Sequence, residues 1–127
     1  DVRAAFERLA AAAKALDTEA YFSHFDKDAF VGLNSDGRNW NDFSAFETVV
    51  TGGFAALARV DELVFVNVKI SVLDASNAVL VNEYEQSVTL KSGATMDLAG
   101  GGTQVWSKRS GQWKLVSVSA SNRSGLP

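Results

Sequence analysis

The chain contains no cysteine. That excludes a disulfide framework, a thiol nucleophile and any metal centre built on thiolates, and it is compatible with any compartment. Histidine occurs once, at position 24, and no metal-ligand spacing accompanies it, so neither a metal nor another cofactor is expected. Positive charge is sparse: the largest basic cluster is the pair Lys108-Arg109, in a chain of formal net charge −3 and isoelectric point near 5.0. A nucleic-acid partner would need a concentrated basic patch to neutralise phosphates, so none is expected. No apolar run approaches the roughly 20 residues that cross a bilayer, which argues against a membrane partner. What remains is ordinary globular material: 127 residues, 46% apolar and 21% charged, enough for one domain with a real core. The first residue is Asp1, not Met. A removed leader or an excised domain would both account for that, so the expectation is a soluble protein, cytoplasmic or exported after signal removal.

Hydrophobic spacing divides the chain into helices and then strands. Val2, Ala5, Phe6, Leu9, Ala12, Ala13 and Leu16 recur at three- and four-residue intervals, predicting a helix with one apolar stripe. Asp17 has the character of an N-cap for a short second helix that buries Tyr21, Phe22 and Phe25. Asp26-Lys27-Asp28 ends it. Ala29 to Leu33 and Arg38 to Trp40 have strand length, and Asn34-Ser35-Asp36-Gly37 between them has turn chemistry. Ser44-Ala45-Phe46-Glu47 matches a capping box that opens a third helix, with Phe46, Val49, Val50 and Phe54 inward. Gly52-Gly53 is expected to stop or kink it, each glycine costing about 1 kcal/mol relative to alanine. After Val60 four long strands follow. Val64, Val66, Val68, Ile70 and Val72 alternate in the first; the others run from Ala78 to Leu90, Thr95 to Ser107 and Gln112 to Asn122. Gly100-Gly101-Gly102 predicts a bulge or a sharp bend in the third. Helices followed by a meander give an α+β fold, with helices on one face of the sheet.

The most specific segment is the closing hairpin, Gln104-Val105-Trp106-Ser107-Lys108-Arg109-Ser110-Gly111-Gln112-Trp113-Lys114-Leu115-Val116. Together with Asp17-Thr18-Glu19-Ala20-Tyr21-Phe22, Phe25 and Asp28-Ala29, it resembles the nuclear-transport-factor-2-like superfamily. Within it, the branch resembled is that of the SnoaL-like proteins and the calmodulin-dependent-kinase association domain. The resemblance spans nearly the whole chain. It implies a cone-shaped, cystatin-like fold in which a strongly curved mixed or antiparallel sheet wraps three N-terminal helices. It further implies a pocket at the open end and a homodimer across the outer sheet face. One such domain is expected over residues 1–123, with 124–127 a flexible tail. The acid–base residues of the family's ketosteroid isomerases do not match. Their general base falls on Leu33, their oxyanion-hole tyrosine on Leu9 and their hydrogen-bonding aspartate on about Thr103. Final-strand histidines of other branches fall on Ser117 and Ser119.

Several side chains are candidates for chemistry. His24 is the one group that titrates near neutrality unaided, and could serve as base or donor; an exposed surface residue is the plainer reading. Asp97, if it faces an apolar cone, would have a raised pKa and could exchange protons; on the other sheet face it is only a surface carboxylate. Strand parity places it with Thr103 and Val105. Tyr84 and Gln86 share one face of their strand, opposite Glu83 and Glu85, so Tyr84 could donate to a ligand or sit in a dimer interface. Trp40 could stack on a planar ligand or close the core, and Asn122 with Arg123 could meet a ligand carboxylate. Ligand contacts are therefore expected at Trp40, Tyr84, Asp97, Thr103 and Asn122. The functional expectation is a small apolar or aromatic molecule held in the pocket. A cofactor-independent isomerase, dehydratase or cyclase, or a pure assembly module, are the alternatives.

Overall fold

A computed structural model describes residues 1–123; the expected tail, 124–127, lies outside the described residues. The elements are α1 (Val2–Lys14), α2 (Thr18–Phe22), β1 (Val31–Leu33), β2 (Asn39–Trp40), α3 (Phe43–Ala55), β3 (Leu57–Asp74), β4 (Asn77–Leu90), β5 (Thr95–Ser107) and β6 (Lys114–Asn122). They build one six-stranded, curved, open sheet in the order β2-β1-β6-β5-β4-β3. β1 pairs with β6 in parallel and every other pairing is antiparallel. The fold is α+β.

Each helix begins on an aspartate. Asp1, Asp17 and Asp42 accept hydrogen bonds from the N–H groups of Ala4, Ala20 and Ala45, satisfying donors that lack partners inside the helix. The third differs from the capping box expected at Ser44. Asp42, two residues earlier, takes the free N–H of Ala45, and the helix starts at Phe43. It also runs unbroken through Gly52 and Gly53 to Ala55, and its Val49 side faces solvent. α1 buries Val2, Ala5, Phe6, Leu9 and Ala12, as its spacing predicts. It ends in a Schellman turn, with Leu16 N–H on the Ala13 carbonyl and Asp17 N–H on that of Ala12. Leu16 occupies the left-handed position, φ 55°, that glycine normally takes.

The core lies between helices and sheet. Phe22, Phe25, Phe30, Phe43 and Phe46 pack with Trp40, whose ring lies 4.8 Å from that of Phe46. Trp106, Leu80 and Leu115 are fully buried below them. Asp26, also buried, accepts from the Arg109 guanidinium at 2.7 Å, tying the β5–β6 turn to the segment after α2.

Two departures from regular pairing shape the sheet. Register shifts interrupt β3 against β4, one of them between Phe65 and Asn67, so the alternation from Val64 to Val72 changes face midway. Val68 and Ile70 pack on the core, whereas Val64 and Val66 are exposed. The Gly100–Gly102 stretch carries no bulge; its register is continuous with both neighbours. Its backbone approaches them too closely for side chains. A Cβ would lie 2.2 Å from the Ser121 carbonyl oxygen at Gly100, 2.3 Å from that of Asn82 at Gly101 and 2.4 Å from that of Ser119 at Gly102. Glycine lets the sheet bend here without losing its ladder.

Candidate functional site

The unbroken register of β5 against β4 fixes which side chains face the helices. Gln104 and Trp106 are buried, so Gly100 and Gly102 share the concave side. The cross-strand partners of Gly102 and Gly100, Asn82 and Tyr84 on β4, face the same way, as does Gln86 two residues further on, opposite Leu98. Between them and the C-terminal ends of α1 and α3 lies a cavity of about 270 Å3. Leu16, Phe54, Leu57, Val60, Leu63 and Phe65 supply most of its apolar wall. The left-handed backbone at Leu16 thus sits on the cavity wall, a place where strain costing about 1 kcal/mol is characteristically retained.

Five polar side chains interrupt this wall, Tyr21, Asn82, Tyr84, Gln86 and Gln104; Ser119 also lines it, but its register opposite Thr103 turns its side chain to the convex face. Gln104 accepts from the Trp106 indole N–H at 2.9 Å, which fixes its carbonyl end and leaves the NH2 end for another partner. The Tyr84 hydroxyl has a long contact, 3.4 Å, to Asn122 Oδ1. Among the described residues, no fully buried side-chain nitrogen or oxygen lacks a partner. Burial pushes both phenols above their usual range, strongly for Tyr21. They remain protonated at neutral pH and act as hydrogen-bond donors, not bases. Among the described residues the wall carries neither carboxylate nor imidazole, and no three acidic or histidine side chains gather as a metal would require.

The predicted site residues are dispersed. Tyr84 lines the cavity. Asn122 adjoins it through Tyr84 and donates to Ser35 Oγ at 3.2 Å, linking the β1–β2 turn to the sheet. Trp40 is a core residue, 7% exposed and packed on Phe46, and it is not part of this cavity's wall. Asp97 and Thr103 project from the convex face, where Asp97 accepts from Ser87 Oγ at 2.8 Å. Neither is a wall residue because their parity is opposite to that of Gln104 and Trp106. His24 follows α2 and lies outside the cavity, near Arg8 and Lys114; burial first, then those two cations, lower its pKa. Leu9 is in the core and Leu33 on the convex face, so neither family acid–base position borders the hollow. Tyr21, Asn82 and Gln104 were missed. The signal for Gln104 was its shared parity with Trp106, and for Asn82 its shared parity with Tyr84.

A SnoaL-like domain model matches residues 2–123, and the chain belongs to that family. Solved structures agree in fold. A nuclear-transport-factor-2-like superfamily protein from Salmonella enterica superposes with a TM-score of 0.82 at 16% identity, over 98% of this chain and 92% of that one. The association domain of C. elegans CaMKII gives 0.75 at 18% identity, over 95% and 92%. A Streptomyces avermitilis protein of the same superfamily, described as a candidate dehydratase, gives 0.82 at 15% identity, over 98% and 95%. No curated protein matches the chain. No helix among the described residues is long and apolar enough to cross a membrane.

Proposed function

We propose that this protein binds a small, neutral, largely apolar molecule bearing one or two carbonyl or ether oxygens. The observation behind this reading is the cavity wall: aliphatic and aromatic, interrupted by two protonated phenols and three amides. Such groups satisfy acceptors on a neutral guest, and nothing on the wall offsets a ligand charge. The volume, about 270 Å3, lies just below the range for small-molecule sites, which begins at about 300 Å3, so the guest is a small one. Acid–base catalysis is the weaker reading, because the wall offers donors for a developing oxyanion but no base for the matching proton transfer. Coumarin, a neutral bicyclic lactone, is a suitable probe. Its binding should shift the backbone amide resonances of Tyr84 and Gln104, and Tyr84→Phe should weaken it about fivefold to tenfold, the worth of one hydrogen bond. If coumarin and simple cyclic ketones leave those resonances unmoved, and native mass spectrometry finds no co-purifying molecule, the binding reading fails.

A specific observation also supports a homodimer through the convex face. Two rows cross the sheet there: Leu33, Ser119, Thr103 and Val81, then Val31, Ser117, Val105 and Val79. All are uncharged, and Val31 and Val81 are about half exposed. Lys69 and Glu83 lie at the margin. An uncharged centre with a charged rim is the composition of a protein interface.

A further inference from the structure

The cavity takes its helix contribution from the C-terminal end of α1. The N-terminal half of α1 borders a second, open cleft of about 460 Å3 that shares no lining residue with it. Four basic side chains meet there from separate parts of the chain. Arg8 comes from α1, His24 from the segment after α2, Lys108 from the β5–β6 turn and Lys114 from the start of β6. Three full positive charges therefore converge in a protein whose net charge is −3. Among the described residues, no carboxylate oxygen lies within 4.0 Å of the Arg8, Lys108 or Lys114 head groups. Their partners are neutral: the Lys114 ammonium donates to the Ser23 carbonyl, and that of Lys108 lies 5.9 Å from the Trp113 ring centroid. The acidic group in the lining, Asp1, spends one oxygen on the Ala4 N–H at the start of α1. The adjacent Arg109 is not part of the cluster, because it turns to Asp26.

We propose that this cleft binds an oxyanion, a phosphate or carboxylate group carried by a small molecule. Arg8 offers a planar fork of donors, and the two lysines add mobile point charges, the combination that favours such groups. His24 supplies a fourth donor when protonated. It already senses the local potential, since burial and then Lys114 and Arg8 hold its pKa below the ordinary value. A bound anion reverses the electrostatic part of that effect. The His24 pKa rises on binding, and by linkage anion affinity increases as pH falls through the histidine range.

Because the chain has one histidine, its imidazole carbon-bound protons give an unambiguous NMR titration. Sulfate, a dianion throughout that range, and succinate are compared with chloride at matched ionic strength. The expected result is an upward, saturable movement of the His24 midpoint beyond the screening effect of chloride. Movement with sulfate alone identifies a phosphate-type ligand; movement with succinate alone identifies a carboxylate. Arg8→Gln should weaken sulfate binding about tenfold, the worth of one charge-assisted hydrogen bond. Its circular dichroism should be unchanged, and Lys69→Gln on the far sheet face should have no effect. A midpoint that responds to sulfate and succinate no more than to chloride overturns the proposal. So does full sulfate affinity in a folded Arg8→Gln protein.

Discussion

Replacing glycine by alanine should act with opposite signs at two places in this molecule. Consider Gly102→Ala in β5. Propensity alone favours the change, since glycine in a strand costs about 0.5–1 kcal/mol relative to alanine. Yet the new Cβ would lie 2.4 Å from the Ser119 carbonyl oxygen, inside any real contact, and the obstacle is backbone of a paired strand. Relief requires separating β5 from β6, and overpacking of this kind costs about 1–3 kcal/mol. The net expectation is a loss of roughly 1–2 kcal/mol once the propensity gain is subtracted. Gly52→Ala in α3 is the matched control. Nothing lies within 4 Å of its added methyl, so the gain should approach the full helix-propensity difference of about 1 kcal/mol. Urea titrations of both variants and the parent would give midpoints displaced in opposite directions at an unchanged slope. In thermal melts of a domain this size, each kcal/mol corresponds to about 3–6 °C. If Gly102→Ala matches or exceeds parental stability while Gly52→Ala shows its gain, the close strand approach at the glycines is wrong, and with it the account of the bend.

Two further tests address titration and assembly. Because the folded His24 pKa lies below its unfolded value, its contribution to stability is complete above the ordinary histidine range. It is lost progressively as pH falls toward the folded pKa, so a His24→Gln protein should lose less stability than the parent between about pH 7 and 5; identical pH profiles would refute this. Val81→Arg places a charge in the centre of the uncharged convex rows and should convert a dimer to a monomer in sedimentation at micromolar concentration, with little change in thermal stability. A parent protein already monomeric under those conditions removes the dimer.

The element order was legible because its signals were local. The Asp17 cap, the stripe from Val2 to Ala12 and short polar turns each act within a few residues. What could not be read depended on partners distant in sequence. The switch of facing in β3 arises from register shifts against β4, and no residue near Val66 announces them. Trp40 is suited to stacking by type, but its contacts with Phe46 and the surrounding phenylalanines are set by how α3 docks. The parity linking Asp97 to Thr103 holds through the glycines, because they bend the strand without inserting a residue. The parity alone did not say which face was concave; the buried Gln104–Trp106 pair does. The basic cleft was invisible for the same reason. Positions 8, 24, 108 and 114 form no cluster until the chain has folded.

The place of β6 within the sheet carries a consequence for biosynthesis. Strand β1 joins the sheet through β6, and the Asp26 N–H and His24 carbonyl both bond to Leu115. The amino-terminal helices and first hairpin therefore leave the ribosome without the edge on which they must settle. Their aromatic side chains lack the sheet they pack against until the segment ending at Asn122 has emerged. Early release of the nascent chain before that point should yield aggregation-prone material instead of a smaller folded product.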